Sequence, residues 1–440
     1  MRRDTSRAVG YLLVGSLAFF PPILEGRVGD TAAAIGSVAP LALVAALALR
    51  SRGGPVFDRL ASADDREEGR LYSLASFTLA VTALSVLAVA FALPVAAFVA
   101  AVFVLTVGRL GRTLARPWIR TAAAGAAVFV ATGTLGAIAA IRLAGELGAA
   151  VPPLPVVAFV AASGGVLGAL VRSTLTPRDD PIVLLLSALV LWFLLGLDLE
   201  PTTGRIAVGL AVTVALGYVA YALGTASVTG MLTGVLLALF AVVLGGYGWF
   251  VLLMTFFGLG GLASKYRYEE KLERGIAEEN EGARGGGNVL ANSAVALVAV
   301  VSYAASDHLG VDPTVFQFAF GGAVAAALAD TFSSEFGGLF DSPRLITTFE
   351  PVAPGTDGGV TWQGAAAGAV GAVIIAALGG LFFGFEAIAV ATVLGAGIVG
   401  MVVDSILGAT LEGGRVGNQG VNLLATLAAG ITAGVVSIVI

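Results

Sequence analysis

Long apolar runs recur from one end of this chain to the other, and they leave it few possible folds. As a helix rising 1.5 Å per residue, a run of about 17 to 25 apolar residues crosses the ~30 Å of hydrocarbon in a bilayer. Only helices and closed barrels can satisfy every backbone amide there. Runs such as AAAGAAVFVATGTLGAIAAI, residues 122–141, lack the period-2 alternation of barrel strands. Composition agrees: 58% of residues are hydrophobic and 12% charged, about half the charge of a soluble domain, and the mean hydropathy is +0.95. The expected fold is therefore an all-α, polytopic membrane bundle.

Fifteen spans are expected, at residues 8–24, 31–49, 71–91, 94–107, 121–142, 151–171, 182–197, 206–223, 228–244, 246–263, 288–305, 314–334, 361–383, 387–410 and 420–440. The first follows a basic, signal-like start and is taken as a span. With the N-terminus in the cytoplasm, every one of the 24 basic residues except Arg27, Arg142 and Arg205 falls in the tail or in a cytoplasmic loop, which is what the positive-inside rule requires. The C-terminus is then outside. Two membrane domains are expected: residues 1–204, of about seven helices and unassigned role, and 205–440, of about eight, with cytoplasmic polar loops at 264–287 and 335–360. In the first domain Arg109, Arg112, Arg116 and Arg120 fall at helical spacing, a stripe for the headgroup level up to Pro117.

The chain has no cysteine, and His308 is its one histidine. Thiolate and imidazole chemistry is excluded or unfavoured, and any metal must be held by oxygen, as Mg²⁺ is. The net charge is −5, and no nucleic-acid partner is expected.

Residues 330–359, DTFSSEFGGLFDSPRLITTFEPVAPGTDGG, form the most concentrated polar stretch between apolar runs. Three glycine-bearing loops open helices at the cytoplasmic face: GGGN at 285–288, GTDGG at 355–359 and GNQG at 417–420. Glycines let backbone approach a ligand, and helix starts offer free N–H groups, so Gly286, Gly287, Gly355, Gly358 and Gly359 with Lys265 and Arg344 suit a charged phosphate. No P-loop pattern occurs. Polar residues pair at i,i+4 on three helix ends: Asn288 with Asn292, Asp330 with Ser334, and Asn418 with Asn422. Asp404 lies ~10 Å inside its helix end. A carboxylate at depth is costly, so Asp330 and Asp404 either hydrogen-bond between helices or hold a divalent cation. Glu335 lies about 140° from Asp330 around an ideal helix and joins them only if the helix stops near Ser333. Asp357 is either a ligand or an N-cap.

The ordered motifs ASKYRYEEKLERGIAEE, GGGNVLAN, ADTFSSEFG, PRLITTFEPVAPGTDGG, VVDSILGATLE and GNQGVNL resemble the integral membrane family catalogued as domain of unknown function 92, over about residues 205–440. That family includes transmembrane protein 19 and the plant phytyl-phosphate kinases. The resemblance implies a membrane enzyme that makes an isoprenyl diphosphate from its monophosphate with a nucleoside triphosphate, CTP favoured, and Mg²⁺. It places Asp330 and Glu335 in an acidic motif, Arg344, Thr347, Gly355, Asp357 and Gly359 in the loop, Asp404 in the next motif, and Asn418 and Asn422 in the last. Within it, Asp330, Glu335 and Asp404 are the expected metal ligands, and Asp330, Arg344 and Asp357 the expected catalytic residues, at the cytoplasmic face of the cell membrane. A lipid or small-molecule transporter and a CDP-lipid synthase-like cytidylyltransferase are the alternatives.

Overall fold

A computed structural model describes residues 2–25, 27–175, 179–199, 201–222, 226–277, 285–412 and 416–440; Arg178, Arg284 and Arg415 of the charge partition lie outside them. Thirteen of its helices are long and apolar enough to cross a membrane. Two further apolar helices, Asp180–Leu195 and Thr203–Ala222, take the other two expected positions. Among the described residues the only sheet is a pair of two-residue strands. The chain forms two compact units, Met1–Ile206 and Ala207–Ile440.

In the first unit the arginine stripe does not stay together. The Val95–Ala115 helix ends before Pro117. Arg116 pairs with Asp4 at 2.9 Å, whereas Arg109 turns inward and shares Asp180 with Arg172. Its guanidinium also lies 4.5 Å from the centre of the Tyr11 ring, a cation–π contact. Asp180 is 0% exposed, and a carboxylate so buried needs charged partners, which turns Arg109 away from Arg116 and toward the helix packed beside it. Asp180→Ala would leave two guanidiniums buried without their carboxylate, a loss of about 3–5 kcal/mol. A clear drop in the thermal unfolding midpoint of the detergent-purified chain is expected; an unchanged midpoint would contradict the tie.

From residue 228 on, the main helices of the second unit are α1 (Val228–Phe240), α2 (Tyr247–Lys265), the short α3 (Tyr268–Glu273), α4 (Gly286–Ala304), α5 (Pro313–Gly337), α6 (Trp362–Phe383), α7 (Ala387–Leu411) and α8 (Asn418–Val436). Helix α5 is its axis, with α2, α4, α6, α7 and α8 all packed on it. Within lipid, close helix packing depends on small residues that let backbones approach. A Cβ on Gly371 of α6 would come 3.0 Å from the Leu328 carbonyl of α5, and one on Gly400 of α7 would come 2.4 Å from the Ala326 Cβ. The α5–α6–α7 core, centred on Ala329, Ala372 and Met401, thus fixes the rotation of the two helices that carry Asp330 and Asp404.

Candidate functional site

Asp330 and Asp404 each lie seven residues before the end of their helix, ~10 Å at 1.5 Å per residue. One intervening span, α6, makes α5 and α7 run the same way, so both carboxylates sit at one depth. Their side chains are in hydrogen-bonding contact. Asp404 Oδ1 is buried and has no hydrogen-bond partner. Two carboxylates in contact need a proton or a cation between them to offset their repulsion, and a buried oxygen without a partner is costly. The pair offers hard oxygen donors, the ligand type that suits Mg²⁺.

The loop after α5 folds back over this end of α7. Strands β1 (Arg344–Leu345) and β2 (Gly359–Val360) pair antiparallel, Arg344 opposite Val360 and Leu345 opposite Gly359. Ile346 N–H donates to the Gly358 carbonyl at 3.0 Å, and Val352 N–H to that of Pro343 at 2.9 Å. At the apex Gly358 has φ +73°, and a Cβ there would lie 2.6 Å from both the Ser405 carbonyl and the Ala409 nitrogen. Only glycine lets the turn rest directly on α7, one residue past Asp404.

The other two glycine loops converge on the same end. A Cβ on Gly287 would come 2.8 Å from Gln419 Nε2, and Gly286 N–H donates to Thr229 Oγ1 at 3.3 Å. Asn418 hydrogen-bonds Glu412, so the start of α8 joins the α4 loop to the end of α7. Glu412, quoted in the VVDSILGATLE motif but not expected in the site, is electrostatically coupled to Asp404 on one side and Asp357 on the other. Burial, then the Asp357 carboxylate, raises the Glu412 carboxyl above its usual range, while the Asn418 hydrogen bond acts the opposite way. Its signal in the sequence is position: the acid that caps the end of α7, eight residues after Asp404 and next to the final glycine loop.

Other expected site residues are engaged with partners of their own. Helix α5 does not stop near Ser333 but runs through Gly337, which puts Glu335 on a different face from Asp330. Glu335 is not beside Asp330 and Asp404 but binds Lys271, Nζ to Oε2 at 2.6 Å. Among the described residues no group of three metal-ligating side chains forms. Ser334 Oγ bonds its own helix at Thr331 O, 3.2 Å. Arg344 is exposed and donates to the Phe349 carbonyl at 2.7 Å, within its own loop, where Thr347 is also exposed. The Asn292 amide donates to Asn288 O at 3.0 Å, and Asn422 Nδ2 to Asn418 Oδ1 at 3.3 Å. Lys265 closes α2. The carboxylate pair, Asp357, Glu412, Asn418 and the three glycine loops are the elements that gather.

A family model described as an integral membrane protein, DUF92, matches residues 211–430. The chain belongs to this family. Every residue just described as gathered lies inside the match. Among DUF92 relatives, the uncharacterized membrane protein MJ0933 of Methanocaldococcus jannaschii is 39% identical over 42% of this chain and 75% of its own length. Two proteins of Arabidopsis thaliana are also similar: Protein PGR, 33% identical over 38% of this chain and 65% of its own, and chloroplastic Protein VTE6, 29% identical over 30% and 40%. The chain thus spans less than two thirds of either plant protein. No solved structure matches it.

Proposed function

We propose that this DUF92 protein is a membrane phosphotransferase that converts an isoprenyl monophosphate to its diphosphate at the end of the second unit, using a nucleoside triphosphate, CTP favoured, and Mg²⁺. The observation that carries the reading is the Asp330–Asp404 contact, with Asp404 Oδ1 buried and unpartnered, beside a glycine turn seated on α7. The substrate class comes from the resemblance of the motifs to the phytyl-phosphate kinases.

In this reading Asp330 and Asp404 hold the metal. When bound, a divalent cation neutralises charge on phosphate oxygens. Phosphoryl transfer is largely positioning and electrostatic stabilisation, so the chain needs no cysteine or histidine for it. In this reading the positive dipole ends of α4 and α8 favour a phosphate beside the 355–359 turn. Glu412, held by Asn418, adds a further carboxylate between the turn's Asp357 and the end of α7. In this reading the exposed Arg344 guanidinium clamps the phosphate. The lipid tail lies along the apolar helix faces.

The test is incubation of membranes containing the full chain with phytyl or geranylgeranyl monophosphate, Mg²⁺ and CTP, UTP, ATP or GTP in turn. Isoprenyl diphosphate is expected with at least one nucleotide. A nucleotidyl lipid in its place would mark a cytidylyltransferase-type reaction, and no product from folded protein with any pair would reject phosphotransfer.

A further inference from the structure

Residues 266–277 lie in the expected polar loop 264–287, yet they are fastened at three points. The chain reverses after α2 at Arg267, whose φ is +51°, and this returns Lys271 to the end of that helix. Lys271 is 1% exposed. Its Nζ donates to the carbonyls of Ala263 at 2.7 Å and Ser264 at 3.5 Å as well as to Glu335. An ammonium is almost never buried so fully without such partners. Three residues on, Arg274 donates to Asp341 at 2.9 Å. Ile276 then reaches both sides of the loop: a Cβ on Gly338 would lie 2.7 Å from its Cδ1, and one on Gly355 2.8 Å from its Cγ2. The segment therefore touches α5 five residues after Asp330 and the turn three residues before Gly358.

We propose that residues 266–277 are a positioning strap, in which the Lys271–Glu335 pair holds the acidic end of α5 and Ile276 holds the glycine turn, so that Glu335 acts through Lys271 and not as a metal ligand. The inference rests on the phosphotransfer reading for its catalytic consequence, but the strap is measurable without it. Arg344 lies in the strapped loop, and tryptic cleavage after it reports loop release. Lys271→Met, Glu335→Leu and Ile276→Ala in the full chain, in detergent, are each expected to speed that cleavage about tenfold or more. The Lys271→Met/Glu335→Leu double variant should be cleaved no faster than either single one, because both remove the same contact.

In the transfer assay Glu335→Gln, which keeps an acceptor for Lys271, should leave the Mg²⁺ concentration for half-maximal rate unchanged, whereas loss of a metal ligand would raise it about tenfold or more. Wild-type cleavage rates in Glu335→Leu and Ile276→Ala, or a raised Mg²⁺ requirement in Glu335→Gln, would overturn the strap. Should Lys271→Met fail to fold, those two variants decide the matter. Absence of transfer in wild type would reject the reaction while the cleavage rates still judged the strap.

Discussion

Asp404→Asn is expected to lower isoprenyl-phosphate transfer by about 10²-fold or more, the scale on which a preorganised electrostatic group counts, and at the same time to leave thermal stability unchanged or raised. The two effects have one cause. Asp404 is pressed against Asp330 with one oxygen buried and unpartnered, an arrangement that serves a cation and costs the bundle when none is bound. Asparagine removes the repulsion and can still hydrogen-bond Asp330. A structural interhelix hydrogen bond, the competing role for this pair, makes the opposite forecast: stability falls while the rate per folded molecule holds. Measuring the melting midpoint and the rate on one preparation separates them, and a destabilised Asp404→Asn with normal turnover would falsify the metal-site reading.

Gly358→Val should be nearly as damaging to transfer, by about 10²-fold, through displacement of the turn. A left-handed backbone costs a β-branched residue roughly 1–2 kcal/mol by itself, and here φ is +73°. The new Cβ would also sit 2.5 Å from the Ala409 Cβ and 2.6 Å from the Ser405 carbonyl. Neither neighbour can yield, since both belong to α7. The turn must therefore lift away, separating Asp357 from Glu412. The bundle beneath should remain folded, because the contact lies at the helix end and not in the Ala329–Ala372–Met401 core. Gly395→Ala is the matched control: it lies on the same helix with nothing within 4 Å of the added atom, and should transfer at the wild-type rate. Equal activity in Gly358→Val and Gly395→Ala would show that the seat of the turn on α7 is dispensable.

The helices were legible because hydropathy is a property of each segment alone. The expected span 182–197 falls on the shorter helix Asp180–Leu195, whose apolar length is limited by Asp179 and Asp180 at its start and Gly196 after it. The gathering of the three glycine loops followed from alternation of helix direction. Which carboxylates meet did not follow from spacing, because it depends on where α5 ends. Had it stopped near Ser333, Glu335 could have joined Asp330; running on to Gly337, it delivers Glu335 to Lys271. Lys271 itself had no signal beyond its charge, since a lysine in KYRYEEKLER reads as solvated until the reversal at Arg267 turns it under the helix. Asp180 was hidden likewise: before Pro181 it reads as a helix start, and only the packing of the Val95–Ala115 and Leu154–Thr174 helices around it gives it two arginines.

By itself, then, the sequence determined that this chain is a polytopic helical membrane protein, that it carries the DUF92 motifs, and that its polar residues collect at helix ends, because each of these depends on segment length, hydropathy and order. The tertiary structure decided the partners: Asp404 with Asp330, the Gly358 turn with α7, Glu412 with Asn418, Glu335 with Lys271. Partnership depends on the rotation of each helix about its axis, and that rotation is set by where small residues such as Gly371 and Gly400 let neighbouring backbones close.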